Sequence, residues 1–390
     1  MLDKKDDHLF PGIKQMKSFF SRHQNTSSSQ NNNNEIIGGS LGLIQHTRPS
    51  NLPAKNPAEE MQHRKQHDEI LEKARKIDER VKKKNNELRE RNIKKEDKLL
   101  CNSATWNNLI IPNFSTLRYK KNVYDLWWSG LPPSIRGRVW KLSINNTLNL
   151  TIDIYNECEK KIINFADNKL HNDYLTAIKL DVSRTFPNLC LFQNNGPLNE
   201  SLNSVLSAYC VLRPDVGYLQ GMSFIAAILT LNMDKCDAFI CFSNLIDNPC
   251  HKAAFTLNQN KMNVYYNLFM KILSINIPII YKHFLNSGLS PDFYLLDWIY
   301  TIYSKAMPLD IVCRVWDMFI RDGDEFLFKT AIGILNIYQK QLLNMDFVRG
   351  AQFLKKLPDN LCADELFDSI KQININIDGN NFQKMVDESL

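Results

Sequence analysis

The 390-residue sequence has no apolar run long enough to span a membrane, and charged residues interrupt any signal-like stretch near its N-terminus. Its nine cysteines form no Cys-x-x-Cys pair, so neither a zinc site nor a disulfide framework is indicated. The net charge is only +6, from 48 basic and 42 acidic side chains, which argues against a nucleic-acid-binding protein. These absences favour a cytosolic protein with reduced thiols, no transmembrane segment and no nucleic-acid partner.

The composition divides the chain into three parts. Residues 1–57 carry a serine run and an asparagine run and are expected to form a disordered, low-complexity tail. Residues 58–100 are densely charged and contain neither proline nor glycine, which predicts a helix. Residues 101–390 contain all six tryptophans and are expected to fold as one domain, with the most informative motifs in about 127–335.

The tail and the charged helix each leave more than one interpretation open. Residues 9–13, after two aspartates, resemble a short motif that docks onto autophagy-type ubiquitin-like proteins, and chance is the alternative. In 58–100 a stripe of apolar residues, which recur at steps of 4, 3, 4 and 7, is compatible with a weak coiled coil, a membrane-surface contact or a solvated single helix. This stripe consists of Ile70, Ala74, Ile77, Val81 and Leu88, and Lys84 interrupts it.

Helical periodicity extends through the folded part of the chain, and no segment shows sustained strand alternation. The predicted fold class is therefore all-α, with about a dozen helices. One amphipathic helix ends at Pro187 and buries a stripe composed of Leu175, Ile178, Val182 and Phe186. Arg184 points away from this stripe, and Asp181 lies three residues earlier on the same side, where it can hold the guanidinium.

A second polar side chain is expected near Arg184. Arg213-Pro214 ends the next helix, and the following turn places Gln220 close to the start of a third helix, predicted over 218–231. Gly221 permits close approach of another backbone, and the helix N-terminus adds positive potential. An arginine and a glutamine could thus converge on one anionic centre.

Three ordered motifs resemble those of the TBC domain, found in GTPase-activating proteins for Rab GTPases. They are Ile178-x-x-Asp181-x-x-Arg184, Tyr218-x-Gln220 and the upstream run Gly130-Leu-Pro-Pro-Ser-Ile-Arg136-Gly-Arg-Val-Trp140. The residues around the first two motifs are similar to those of a TBC subgroup linked to recycling endosomes and autophagosome formation. The resemblance implies a TBC-type multi-helix domain and predicts a cytoplasmic protein recruited peripherally to endosomal, Golgi or autophagic membranes.

The resemblance also assigns roles. Arg184 would be an arginine finger and Gln220 a glutamine finger, both supplied in trans to a Rab in its GTP state. Asp181, Tyr218 and Gly221 would support them, while Arg136 is expected in a buried salt bridge with a structural role. The partner would bind GTP and Mg²⁺, consistent with the lack of a phosphate-loop motif here, so no cofactor is predicted. The protein would be a GTPase activator without substrate chemistry of its own, and the alternative is a non-catalytic Rab-binding adaptor in endosome or autophagosome trafficking.

Overall fold

A computed structural model describes residues 56–165, 169–377 and 379–389. The predicted tail, including the candidate docking motif at 9–13, lies outside the described residues except at its last positions. The chain separates into two compact units, one ending at Lys98 and the other running from Leu99 to Leu390, and each is treated by itself.

A single helix, α1, begins at Pro57 and continues to Thr105, so its residues up to Lys98 belong to the first unit and its last seven to the second. Its described side chains between 57 and 98 are almost all exposed, and Ile70 and Ile77 are 65% and 61% accessible. Ion pairs one turn apart, such as Glu72 with Lys76 at 3.3 Å and Asp78 with Lys82 at 3.0 Å, stabilise such a solvated helix by a few tenths of a kcal/mol each. The described members of the predicted apolar seam, Ile70, Ala74, Ile77 and Val81, therefore face solvent in the single chain.

The second unit confirms the all-α prediction: its described residues form helices and one isolated bridge between Ile377 and Asn380. After a π-helical turn at Trp106–Ile110, the α-helices are α2 (Phe114–Leu117), α3 (Lys121–Trp128), α4 (Pro133–Ile144), α5 (Ile152–Phe165), α6 (Lys169–Arg184), α7 (Asn199–Leu212), α8 (Met222–Asn232), α9 (Lys235–Ile246), α10 (Pro249–Phe255), α11 (Gln259–Asn276), α12 (Pro278–Ser287), α13 (Leu295–Thr301), α14 (Leu309–Asp322), α15 (Asp324–Ile337), α16 (Gln339–Leu342), α17 (Phe347–Lys355), α18 (Ala363–Gln372) and α19 (Phe382–Ser389). Short 3₁₀ turns lie at Ile111–Asn113, Pro187–Leu189 and Pro291–Phe293. Within the described residues, no helix is both long and apolar enough to cross a bilayer.

The core is built around two central helices. Helix α7 packs against α5, α6, α8 and α9, and its face from Val205 to Cys210 is buried. Helix α14 packs against α3, α4 and α15. Large aromatic rings fill the space between helices: Trp106 meets Trp127 edge-on at 5.4 Å between centroids, and Trp140 stacks on Trp316 at 5.3 Å. Trp106 thus belongs to the core, as its large apolar surface predicts.

One predicted helix boundary was wrong. The helix expected over 218–231 begins at Met222, because Gly217 and Gly221 have φ of 65° and 109° and cannot continue a right-handed helix. This difference places Gln220 in a turn, two residues ahead of α8.

Candidate functional site

Arg184 is the last residue of α6, and the helix geometry fixes its orientation. Ile178 and Val182 on the inner face are fully buried, whereas the Arg184 side chain is 59% exposed. Its guanidinium donates to Oδ1 of Asp181, a carboxylate that is itself buried. Phe186, two residues later, adopts a left-handed conformation with φ of 44° and packs its ring against Phe224 of α8. The end of α6 is therefore held against the start of α8.

The turn that carries Gln220 is clamped at its base by Arg213. The Arg213 guanidinium donates to both carboxylate oxygens of Asp215, at 2.9 and 2.8 Å, and to Asp247 at 3.1 Å. Hydrogen bonds from Arg213 lower the pKa of the Asp215 carboxyl below its usual value. Lys252 reaches the same Asp247 oxygen at 2.9 Å, so the charges around this turn are paired. The bidentate pair fixes the geometry of the turn.

Two glycines shape the rest of this turn. A Cβ atom added to Gly217 would lie 2.5 Å from Cζ of Tyr174, so the turn lies close against the hydroxyl end of this ring, which belongs to α6. Gly221 caps α8, and its φ of 109° disfavours any other residue. An added Cβ there would meet the backbone of Tyr300 only at 3.6 Å, so the positive φ, more than the predicted close approach, requires glycine. Gln220 between them is exposed.

A buried hydrogen bond joins the two segments. The Tyr218 hydroxyl donates to Oδ2 of Asp181 at 2.6 Å, while Oδ1 of the same carboxylate holds Arg184. Burial, reinforced by the nearby carboxylate of Asp181, raises the pKa of Tyr218 well above its ordinary value, so the phenol keeps its proton and remains a donor. Asp181 is thus shared by the arginine of α6 and the tyrosine two residues before Gln220.

Arg136 lies in a different cluster, centred on Asp317 of α14. Its Nε donates to Oδ1 of Asp317 at 3.0 Å, and one terminal nitrogen donates to the Leu131 carbonyl at 2.8 Å. The Asp317 carboxylate also accepts from the Leu131 amide and the Trp140 indole, each at 2.8 Å. Complete burial raises the pKa of Asp317, and the Arg136 guanidinium opposes that shift. This cluster fixes the 129–133 turn to α4 and α14.

The site also contains contacts that could not be predicted from the spacing of residues in the sequence. Tyr174 beneath Gly217, Asp247 on Arg213 and Ser223 beside Thr185 all connect residues more than 30 positions apart. The sequence does place Arg184 and Asp181 together, because one helical turn separates them. His251 is a packing residue: it is fully buried, with its ring near Phe255 and Phe319.

Comparison with known proteins agrees with this architecture. The Rab-GTPase-TBC domain family matches residues 133–343, more than half of the chain. TBC1 domain family member 14 of Homo sapiens is 46% identical over 349 residues, and TBC1 domain family member 12 of Xenopus tropicalis is 44% identical over 348 residues. Each match covers 85% of this chain, and the chain spans about half the length of these curated relatives. Drainin of Dictyostelium discoideum is 32% identical over 393 residues, covering 87% of this chain and 89% of that protein.

Solved structures give the same fold. The flagellar RabGAP TBC domain of Chlamydomonas superposes with a TM-score of 0.56 at 19% identity, covering 71% of this chain and 95% of that one. The Ypt/Rab-GAP domain of Gyp1p gives 0.52 at 18% identity, covering 67% and 96%. The chain belongs to the TBC family, as the three sequence motifs predicted.

Proposed function

We propose that this protein accelerates GTP hydrolysis by a Rab-family GTPase, with Arg184 and Gln220 supplied in trans. The observation that carries the proposal is the Asp181–Tyr218 hydrogen bond of 2.6 Å, which ties the helix end bearing Arg184 to the turn bearing Gln220. Two exposed polar side chains on segments held together by a buried bond suit a pre-arranged site for a partner's phosphates. Family membership supports the choice of a Rab as the partner.

The chemistry follows from charge development in phosphoryl transfer. As the bond to the γ-phosphate breaks, negative charge grows on the bridging and terminal oxygens, and a guanidinium supplied by Arg184 stabilises it. Asp181 keeps the arginine oriented before the partner arrives, which lowers the entropic cost of placing it. The Gln220 amide donates and accepts hydrogen bonds, so it can orient the attacking water. The protein itself breaks no bond; GTP and Mg²⁺ belong to the partner.

The remaining residues act indirectly in this proposal. Tyr218 and Gly221 fix the turn around Gln220, and Arg136 stabilises the fold through Asp317. In the cell such an activator would end Rab signals in vesicle trafficking. The similarity to the recycling-endosome and autophagosome subgroup extends the proposal to peripheral recruitment onto those membranes or the Golgi, with trafficking or autophagy proteins as partners of the N-terminal tail.

The test is single-turnover GTP hydrolysis by a panel of purified Rabs with wild type, Arg184→Ala and Gln220→Ala. For at least one Rab we expect strong acceleration by wild type, reduced by on the order of 10³-fold or more without the arginine. Arg349→Ala, which removes an arginine outside the site, is the control and should keep full activity. GTP-dependent binding without acceleration of any Rab would refute the catalytic role and leave the adaptor.

A further inference from the structure

Thr185 follows Arg184 directly and lies on the opposite, inner side of the chain. Its side chain is fully buried, and its hydroxyl oxygen lies 2.7 Å from the carbonyl oxygen of Asp181. That carbonyl belongs to the last turn of α6, where backbone acceptors lose their partners within the helix. The Thr185 hydroxyl therefore caps the helix end from which Arg184 projects.

The same hydroxyl reaches the other half of the site. It lies 2.9 Å from the hydroxyl of Ser223, which is 1% exposed and is the second residue of α8. A hydroxyl has one hydrogen, so when Thr185 donates to the carbonyl it accepts from Ser223. This contact joins the residue after Arg184 to a residue three positions after Gln220.

The Thr185–Ser223 contact is a second buried link beside the Asp181–Tyr218 bond. Asp181 takes part in both regions, because its carboxylate accepts from Tyr218 and its backbone carbonyl accepts from Thr185. All four residues are buried, where a polar group without a partner is costly, so removing one hydroxyl from the Thr185–Ser223 pair disfavours the native arrangement.

We propose that the buried Thr185–Ser223 hydroxyl pair is a positioning device that sets the spacing between Arg184 and Gln220. This inference rests on the proposed function and assigns roles to two residues that touch neither nucleotide nor partner. The Asp181–Tyr218 bond fixes α6 three residues before Arg184. The Thr185–Ser223 contact fixes the chain directly after Arg184 and, together with the packing of Phe186 on Phe224, sets the distance between the end of α6 and the start of α8.

Removing the Thr185 hydroxyl should slow GTP hydrolysis itself and leave binding of the partner nearly unchanged. Thr185→Val keeps the shape of the side chain and removes only the hydroxyl, so the surface that meets a Rab is unchanged. We expect the maximal hydrolysis rate at saturating activator to fall about 10- to 100-fold, which is the effect of misplacing a reacting group by about 1 Å. The activator concentration giving half-maximal rate should change less than about twofold, because partner contacts remain.

The experiment uses the full chain and four further variants. Thr185→Ser should restore the rate because it restores the hydroxyl. Ser223→Ala should lower the rate like Thr185→Val, and the double variant should be no slower than the slower single one, since both break the same contact. Thr330→Val is the matched control: Thr330 is fully buried and its hydroxyl also bonds a carbonyl one turn earlier, that of Phe326 at 2.8 Å, but it lies in α15.

Hydrogen exchange provides a readout that needs no GTPase. Amides of residues 217–224 should exchange faster in Thr185→Val than in wild type, and at the wild-type rate in Thr330→Val. If wild type accelerates a Rab and Arg184→Ala does not, a wild-type rate for Thr185→Val overturns the positioning role and leaves the proposed function intact. If no Rab is accelerated, the proposed function fails, and unchanged exchange in Thr185→Val overturns the coupling as well.

Discussion

Replacing Asp317 by asparagine tests the buried cluster that organises α4 and α14. Both oxygens of the Asp317 carboxylate accept hydrogen bonds, Oδ1 from Arg136 and Trp140 and Oδ2 from the Leu131 amide. An asparagine has one acceptor oxygen and one donor nitrogen, so whichever way it turns, its NH₂ group faces another donor. The substitution also removes the only counter-charge that contacts Arg136 among the described residues.

The magnitude follows from burial. The side chain of Asp317 is inaccessible and that of Arg136 is 12% exposed, so the unpaired guanidinium cannot recover its hydration. Breaking a buried ion pair from one side costs about 3–5 kcal/mol of unfolding free energy. With an m-value of about 3 kcal/mol per molar urea, the unfolding midpoint should fall by about 1–1.7 M.

Urea titration followed by far-UV circular dichroism measures this shift. Asp364→Asn is the matched control, because Asp364 also pairs with an arginine, Arg314 at 2.9 Å, yet its side chain is 65% exposed. A surface pair of this kind contributes less than about 1 kcal/mol. Equal midpoints for Asp317→Asn and Asp364→Asn would contradict the claim that the buried carboxylate organises this part of the fold.

Three further substitutions probe other features. Gly137→Ala should destabilise the fold by about 3 kcal/mol in the same titration, since an added Cβ would lie 2.0 Å from the carbonyl oxygen of Asn232, whereas Gly350→Ala, with 3.1 Å to its nearest neighbour, should cost less than about 1 kcal/mol. Burial lowers the pKa of His251 to about 4, so between pH 6.5 and 4 the unfolded chain binds the proton more tightly than the folded chain does. Going from pH 7 to pH 4, this group should therefore lower the unfolding free energy by about 3 kcal/mol. In acid denaturation, His251→Leu should reduce the dependence of the unfolding free energy on pH. Tyr218→Phe should lower the maximal hydrolysis rate about tenfold and the unfolding free energy by about 1–3 kcal/mol, because a buried Asp181 oxygen loses its donor; a wild-type rate would argue against a shared carboxylate.

The parts of the site that a sequence predicts are those within one or two helical turns. Asp181 and Arg184 are three residues apart on an amphipathic helix, so their pairing and the exposure of the arginine follow from periodicity. The all-α class follows from the same periodicity over the whole folded part. A buried Arg136 requires a carboxylate partner, and Asp317 lies in a strongly amphipathic segment of the sequence. The pairing itself could not be predicted, because the two residues are 181 positions apart and no local pattern connects them.

The turn carrying Gln220 was harder to predict because its shape depends on tertiary contacts. The segment from 218 has helix-compatible residues, and the predicted early start of α8 reflects that propensity. The actual start is delayed by Gly217 lying on the Tyr174 ring and by the positive φ of Gly221. Likewise, Thr185 and Ser223 are ordinary helix-terminus residues in the sequence, and only the packing of α6 on α8 brings their hydroxyls together.

The division between exposed finger side chains and their buried supports has an evolutionary consequence. Gln220 is exposed and contributes little to the core, so it can be replaced at a cost within about 0.5 kcal/mol of stability, whereas replacing Arg184 also removes the cation that pairs with the buried Asp181 carboxylate. Residues that support the surface around them, such as Asp181 and Tyr218, are constrained by folding, so we expect their identities to change slowly in evolution. Under the proposed function, a descendant could lose catalysis through one surface substitution and still present the same face to a GTPase. Binding-only relatives are therefore easily reached from an activator with this architecture, and such a loss is reversible by a single codon change.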